Sequence, residues 1–330
     1  MISADDSQPS NPQPLVTVGV LAYNRPKGLQ RTLQCMMRQS YANLEIIVSD
    51  NCSSDLEVKK VALNAADADP RVKYVRQDCN IGAYNNCWAL LCMSKGDYFM
   101  FAADDDFWDE NYIEFLLAKI VSNPQCVLAI SELKIAFAES SEVAYATSEI
   151  VPCDFQNYEI NDLTSRMTAH IKEPSSVSAH IIYGLVRHSA IYSAFQSVRE
   201  EYNHPVNMDV YIVFNLLLQG SVAIELSTYR LWVIHEKTTG LLYCAENKYK
   251  NTGWKFADLS KRLKIQSVLV EKFPMLESER IVLMAVLRRK LNLLPISYAI
   301  QSIRSYGVNV MQFLKIHGAY LKLKRSIGLV

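Results

Sequence analysis

The 330-residue chain has no C-x-x-C pair, although eight cysteines are scattered along it (35, 52, 79, 87, 92, 126, 153 and 244). That spacing argues against a zinc site or a disulfide framework and fits reduced thiols in a cytosolic protein. No run of about 18 uninterrupted apolar residues occurs, so no transmembrane helix is expected. Residues 1–13 lack both a basic start and an apolar centre, and read as a disordered tail rather than a signal peptide. Glycine is missing where a dinucleotide fold needs it: the first apolar run leads into "LAYNRPKG", with Gly28 alone at its far end. The glycine-rich turn is therefore absent. So are a G-x-x-x-x-G-K-[ST] run and a G-x-S-x-G elbow, which removes a P-loop and that class of serine hydrolase.

Acidic residues are also missing from one region. From Arg280 to Val330 there are nine Lys or Arg and no Asp or Glu, so residues 1–279 hold 25 basic residues against all 34 acidic ones. The neutral total hides an acidic body and a basic tail.

What is present in the first 130 residues is an alternation. Strand-like runs at 15–23, 44–50, 72–76, 98–102 and 126–131 are separated by helix-like segments at 26–39, 54–67, within 82–94 and at 109–122. Pro26 suits a first helical turn, and Ser54 and Asp109 are candidate caps. This order predicts an α/β fold with a mostly parallel central sheet flanked by helices. Ligands of such sheets sit at the carboxyl ends of the strands, which points to Tyr23 and Asn24, Asp50 and Asn51, and Asp104 to Asp106. Further on, strands are expected at 133–137, 180–185, 221–226 and 229–235, with a helix at 209–219. Helices at 254–273, 277–293, 296–306 and 309–325 follow, broken at Pro295.

The three adjacent aspartates of "YFMFAADDDFW" repel one another and need a cation. One reading is helix capping. The other is Mg²⁺ or Mn²⁺, which takes oxygen ligands, often one or two from protein and the rest from phosphate or water.

With "VTVGVLAYNRPKGLQRTLQCMMRQSYANLEIIVSDNCSSD" (16–55), "NIGAYNNC" (80–87) and "GDYFMFAADDDFW" (96–108) in this order, the chain resembles the family 2 glycosyltransferases of GT-A, Rossmann-like fold. The resemblance implies a GT-A domain over 14–240, with a nucleotide-binding half (14–125) and an acceptor half (126–240), followed by a basic helical extension (241–330). It implies metal-dependent, inverting transfer of sugar from a nucleotide diphosphate, UDP first, to a glycan or lipid-linked acceptor in surface polysaccharide synthesis. Ala22, Tyr23, Asn24, Arg25, Asp50, Asn80, Gly82, Asp104 and Asp105 are then expected around the nucleotide sugar, Asp50 on the base. Asp105 is the expected metal ligand, with His235 beside it. Because Ala103 stands two before Asp105, the common Asp-x-Asp form is replaced by an adjacent pair. Asp209 is the expected base, with helix capping as its alternative role and Glu200 and Glu201 in reserve. Trp108 and Tyr112 suit either sugar stacking or the core.

The tail (280–325) fits either an anionic membrane surface, which gives a cytoplasmic, peripheral protein, or a cap on the acidic body. Nucleic acid is not an expected partner. The competing functions are a sugar-phosphate nucleotidyltransferase and a non-catalytic membrane scaffold.

Overall fold

A computed structural model describes residues 13–104, 106–138, 149–151, 158–172, 178–202, 208–235 and 252–306. The chain divides into two units, Met1–Lys237 and Thr238–Val330.

The first unit opens with four parallel strands in the order β3-β2-β1-β4: β1 (Val16–Ala22), β2 (Leu44–Asp50), β3 (Val72–Arg76) and β4 (Tyr98–Ala102). β2 and β4 are buried along their whole length and β1 nearly so. Their near-continuous apolar runs are the pattern of strands covered on both faces. Ala22 pairs with Asp50 and Val20 with Ala102, so the carboxyl ends of β1, β2 and β4 lie close to one level.

Helices α1 (Pro26–Met37), α2 (Leu56–Ala68) and α3 (Ala83–Met93) return the chain between these strands. On α1, Leu29, Leu33 and Met36 recur at helical spacing and are buried against the sheet. The cap of α2 is Asp55, whose Oδ1 accepts from Glu57 N at 3.0 Å, and not Ser54. Ser54 instead donates its N–H to Asn24 Oδ1 at 2.8 Å.

The second half adds β5 (Phe107–Trp108), α4 (Tyr112–Val121), β6 (Cys126–Ala138), β7 (Glu149–Val151), α5 (Leu163–Lys172), a 3-10 turn (Ser178–Tyr183), β8 (Leu185–Arg187), α6 (His188–Glu201), α7 (Met208–Gln219) and β9 (Ser221–His235). The sheet runs β3-β2-β1-β4-β8-β6-β9-β5, with β7 on β6. β8 is antiparallel to β4 and β6, whereas β6 and β9 are parallel. Several local expectations change here. Residues 126–138 form one strand rather than two, as do 221–235, and a register shift at Ser131/Glu132 absorbs the polar interruption. The expected strand at 180–185 is largely a 3-10 turn. Asp109 does not cap α4, which starts after Asn111; its N–H continues the ladder to Tyr229 O at 3.2 Å.

In the second unit α8 (Thr252–Lys272) and α9 (Glu277–Tyr306) are joined by a short turn. Arg280 donates to Val270 O and Phe273 O at 2.8 and 3.2 Å and also contacts Glu271 O. A cation thus satisfies the last carbonyls of α8. Pro295 does not break α9, because proline removes one helical hydrogen bond and the turns on either side retain theirs. Among the described residues no helix is long and apolar enough to cross a membrane. The expected tail at 1–13, but for residue 13, and the expected helix at 309–325 lie outside the described residues.

Candidate functional site

At the carboxyl ends of β1, β2 and β4 a cleft of about 410 Å³ opens, lined by Leu21, Ala22, Tyr23, Arg25, Asn51, Asn80, Gly82, Ala83, Asn86 and Asp104. Four segments far apart in sequence supply it because the strands that carry them end together. Thr32, buried on α1, donates to Ala103 O at 2.9 Å and fixes the approach to Asp104.

Asp104 itself faces Arg25 and the β1 end. Its Oδ1 lies 3.3 Å from Arg25 Nη1, and its Oδ2 accepts from Tyr23 N at 3.3 Å. Both contacts are long, and the Arg25 side chain is 40% exposed. The Tyr23 ring is also open to solvent at 45%, which leaves a flat apolar face available to a planar ligand.

The far wall is built from amides. Asn80 Oδ1 accepts from Asn51 Nδ2 at 3.0 Å and from Gly82 N at 2.9 Å. A backbone N–H only donates, so that position must be the oxygen, and the Asn80 NH₂ is turned the other way. Asn51 is oriented by the same logic, since its Oδ1 accepts from Ile81 N at 2.9 Å. Asn86 is held on Ser49 from both sides: its Oδ1 accepts from Ser49 Oγ at 2.6 Å, and its Nδ2 donates to Ser49 O at 3.1 Å. Gly82, with φ +81°, makes the turn into α3 that a side-chain-bearing residue would resist.

The structure brings Ala22, Tyr23, Arg25, Asn80, Gly82 and Asp104 to one cleft. Two other expected residues turn elsewhere. Asn24, at φ +55°, accepts on its Oδ1 from Ser54 N and Oγ and from Asp55 N, so its amide oxygen ties the end of β1 to the start of α2. Asp50 is fully buried; its Oδ1 accepts from Ser53 N at 2.8 Å and its Oδ2 from Tyr74 Oη at 2.8 Å and Arg76 Nη1 at 2.7 Å. So enclosed, Asp50 is not among the described residues that line the cleft. Asn51, one residue on, is the β2 end that reaches the cleft. Burial raises the Asp50 carboxyl, and the hydrogen bonds from Ser53, Tyr74 and Arg76 outweigh that and hold it below its usual value. Tyr74 is pushed up to about 12, by burial first and then by its bond to Asp50.

Asp209 lies inside the first turn of α7 rather than ahead of it, with Oδ1 accepting from Val210 N at 2.9 Å; it is not part of the cleft lining. Glu200 and Glu201 close α6. Asp105 and the His235 side chain lie outside what the structure describes, as do residues 236–251. Trp108 and Tyr112 are buried core residues and present no stacking face. Asp106 is buried against Arg230 at 3.2 Å. Asn51 was among the strand-end residues picked out from the sequence, whereas Asn86 was not; its signal is positional only, the first turn of a helix facing a strand end.

Residues 17–164 match the sequence model of Glycosyl transferase family 2. The putative colanic acid biosynthesis glycosyl transferase WcaA of Escherichia coli K12 is 31% identical over 105 residues, 32% of this chain and 37% of the relative. The GalNAc(5)-diNAcBac-PP-undecaprenol beta-1,3-glucosyltransferase of Campylobacter jejuni is 35% identical over 94 residues, 28% of this chain and 30% of the relative. Matched stretches cover between 13% and 45% of such curated relatives. Among solved structures, S. aureus TarS 1–349 superposes with a TM-score of 0.58 at 11% identity, covering 90% of this chain and 76% of that one. That likeness shows the fold. Residues 17–164, rather under half of the chain, thus match glycosyl transferase family 2, and the structural likeness shows the GT-A fold.

Proposed function

We propose that the protein transfers a sugar from a nucleotide diphosphate, UDP first, to a glycan or lipid-linked saccharide in bacterial surface polysaccharide synthesis, with inversion at the anomeric carbon. The observation that carries this reading is the cleft of Tyr23, Arg25, Asn51, Asn80, Gly82 and Asp104 at the strand ends, inside the family-matched region. Its polar groups are mainly donors: the Asn80 amide NH₂ and the Arg25 guanidinium suit carbonyl and phosphate oxygens, and the Tyr23 ring suits a base or sugar face. The UDP preference is supported by a relative from Escherichia coli, 28% identical over 109 residues, named UDP-Glc:alpha-D-GlcNAc-diphosphoundecaprenol beta-1,3-glucosyltransferase WfgD. The names of relatives acting on diphosphoundecaprenol-linked saccharides support a lipid-linked acceptor.

A divalent metal fits the donor set in kind. Asp104 supplies hard carboxylate oxygen to the cleft lining, and Mg²⁺ or Mn²⁺ needs few protein ligands when phosphates supply others. Asp105 would hold it, with Asp104 beside it and His235 at its edge, and it would offset charge on the departing diphosphate. Asp209 is proposed as the base that takes the acceptor proton. The basic segment 280–325 is proposed to rest on an anionic membrane surface from the cytoplasmic side.

Titration with UDP, with and without Mn²⁺, should raise the melting temperature; no stabilisation in either arm would remove the donor reading. Donor turnover should collapse in Asp105→Ala and Asp209→Ala, and near-normal rates in either would remove that residue's role.

A further inference from the structure

Asp106 stands in the acidic triplet yet has a separate environment. It is 2% exposed, and the Arg230 side chain it meets on β9 is 4% exposed. Arg230 is also tied to the 3-10 turn: its Nη2 lies 2.8 Å from His180 Nδ1, and its guanidinium covers the Tyr183 ring at 4.5 Å. Guanidinium nitrogens only donate, so Nδ1 accepts and His180 is neutral with its proton on Nε2. Trp232 packs on the His180 ring at 4.2 Å and limits its rotation. One arginine therefore links three elements: the acidic loop, β9 and the turn before β8.

A buried ion pair of this kind gives little net stability, because desolvation offsets most of the attraction. What it supplies is geometry. On this side the segment behind β4 is also held by the two-residue β5, where Phe107 pairs with Leu231 and Trp108 with Arg230, and by Arg31, which lies over the Phe107 ring. On the other side Asp104 is held by Arg25 and the Tyr23 N–H. We propose that Arg230 is a positioning residue which, oriented by His180, fixes the acidic loop through Asp106 while Arg25 fixes it through Asp104. Two carboxylates of the triplet thereby serve as anchors on either side of Asp105. The catalytic consequence rests on the donor reading above; the anchoring itself does not.

Amide hydrogen exchange tests the anchoring without substrate. In Arg230→Met, exchange at Phe107, Trp108 and Asp109 should rise about tenfold or more while Val16–Ala22 keeps its protection, as expected for local opening. Arg230→Lys should recover part of it, and Asp106→Asn, which keeps the shape of the side chain, should reproduce the loss if Arg230→Met folds poorly. Unchanged protection at 107–109 in both variants would overturn the proposal, and so would an equal rise in both segments. In a second arm, the affinity that Mn²⁺ adds to UDP binding should fall about tenfold in Arg230→Met while metal-free UDP binding stays unchanged. Equal losses with and without metal would also count against positioning. If wild-type protein ignores UDP while the exchange pattern appears as expected, the donor reading fails and the anchoring stands.

Discussion

Arg76 and Asp50 face each other as register partners across β3 and β2, with Nη1 2.7 Å from Oδ2. The carboxylate is fully buried and the arginine one-third exposed (0% and 35%), so the pair closes the outer side of the β2 end. Arg76 also donates to Ser53 O at 2.9 Å, and Ser53 returns its N–H to Asp50. This closed ring sets the path of residues 51–53 and turns Asn51, rather than Asp50, into the cleft.

The ring is acid-sensitive in a definite direction. The folded pKa of Asp50 lies below its unfolded value of about 3.9, so its stabilisation is complete above that value and is lost as pH falls through the folded pKa. Asp50→Asn should cost about 2 kcal/mol near neutrality, since it leaves a charge-assisted network without its acceptor. Urea unfolding from pH 6 to 2 should show the wild-type and variant stabilities converging at the acid end. Parallel curves would disprove the assignment.

His180 adds a second acid-dependent component. Burial first, and the Arg230 charge second, push its pKa down to about 3. The unfolded chain, with a histidine pKa near 6.5, binds the extra proton throughout that window, so stability rises with pH from about 3 and is fully present above about 6.5. In His180→Gln the slope of unfolding free energy between pH 4 and 6.5 should flatten, and the amide oxygen can still accept from Arg230. An unchanged slope would show that His180 is not held neutral.

Much of the first half of the fold was legible because β1, β2 and β4 are buried on both faces and read as near-continuous apolar runs, as in "YFMFA". Pro26 and the apolar spacing of α1 carried similar information. Asp104 was legible for the same reason, being the first polar group past such a run that the cleft exposes. What stayed hidden depends on partners far away in sequence. Asp106 meets Arg230 across 124 positions, and no local pattern in "DDDFW" distinguishes a buried anchor from a helix cap. Asp50 looked like a ligand-facing strand end, and only the register of β3 shows that Arg76 takes it. The split expected in β6 fell at Glu132, between the runs 126–131 and 133–137, whereas a register shift at Ser131/Glu132 keeps both within one ladder.

Two glycines should respond to alanine for different reasons. A Cβ at Gly82 would meet nothing within 4 Å, so only its φ of +81° resists substitution. Gly82→Ala should cost about 1 kcal/mol. At Gly184 the new Cβ would lie 2.4 Å from Ala129 O, backbone that cannot yield without disturbing β6. Gly184→Ala should therefore cost about 3 kcal/mol or more. Chemical denaturation of both variants measures the order, and the reverse order would contradict the geometry.

Asn80 tests whether the amide wall meets the donor. Asn80→Asp keeps an oxygen for Gly82 N and Asn51 Nδ2, so the turn into α3 should survive with a stability change within about 0.5 kcal/mol. The same change replaces the outward NH₂ by a charged oxygen, removing two donors and placing negative charge at the cleft. UDP affinity measured by calorimetry should weaken about tenfold or more, equivalent to about 1.4 kcal/mol. Part of that loss should shrink at high salt, because screening weakens repulsion between the new carboxylate and the diphosphate. Asn80→Ala should lose less affinity but more stability, since it abandons the Gly82 and Asn51 bonds without adding charge. Wild-type affinity in Asn80→Asp would place the bound nucleotide away from this wall.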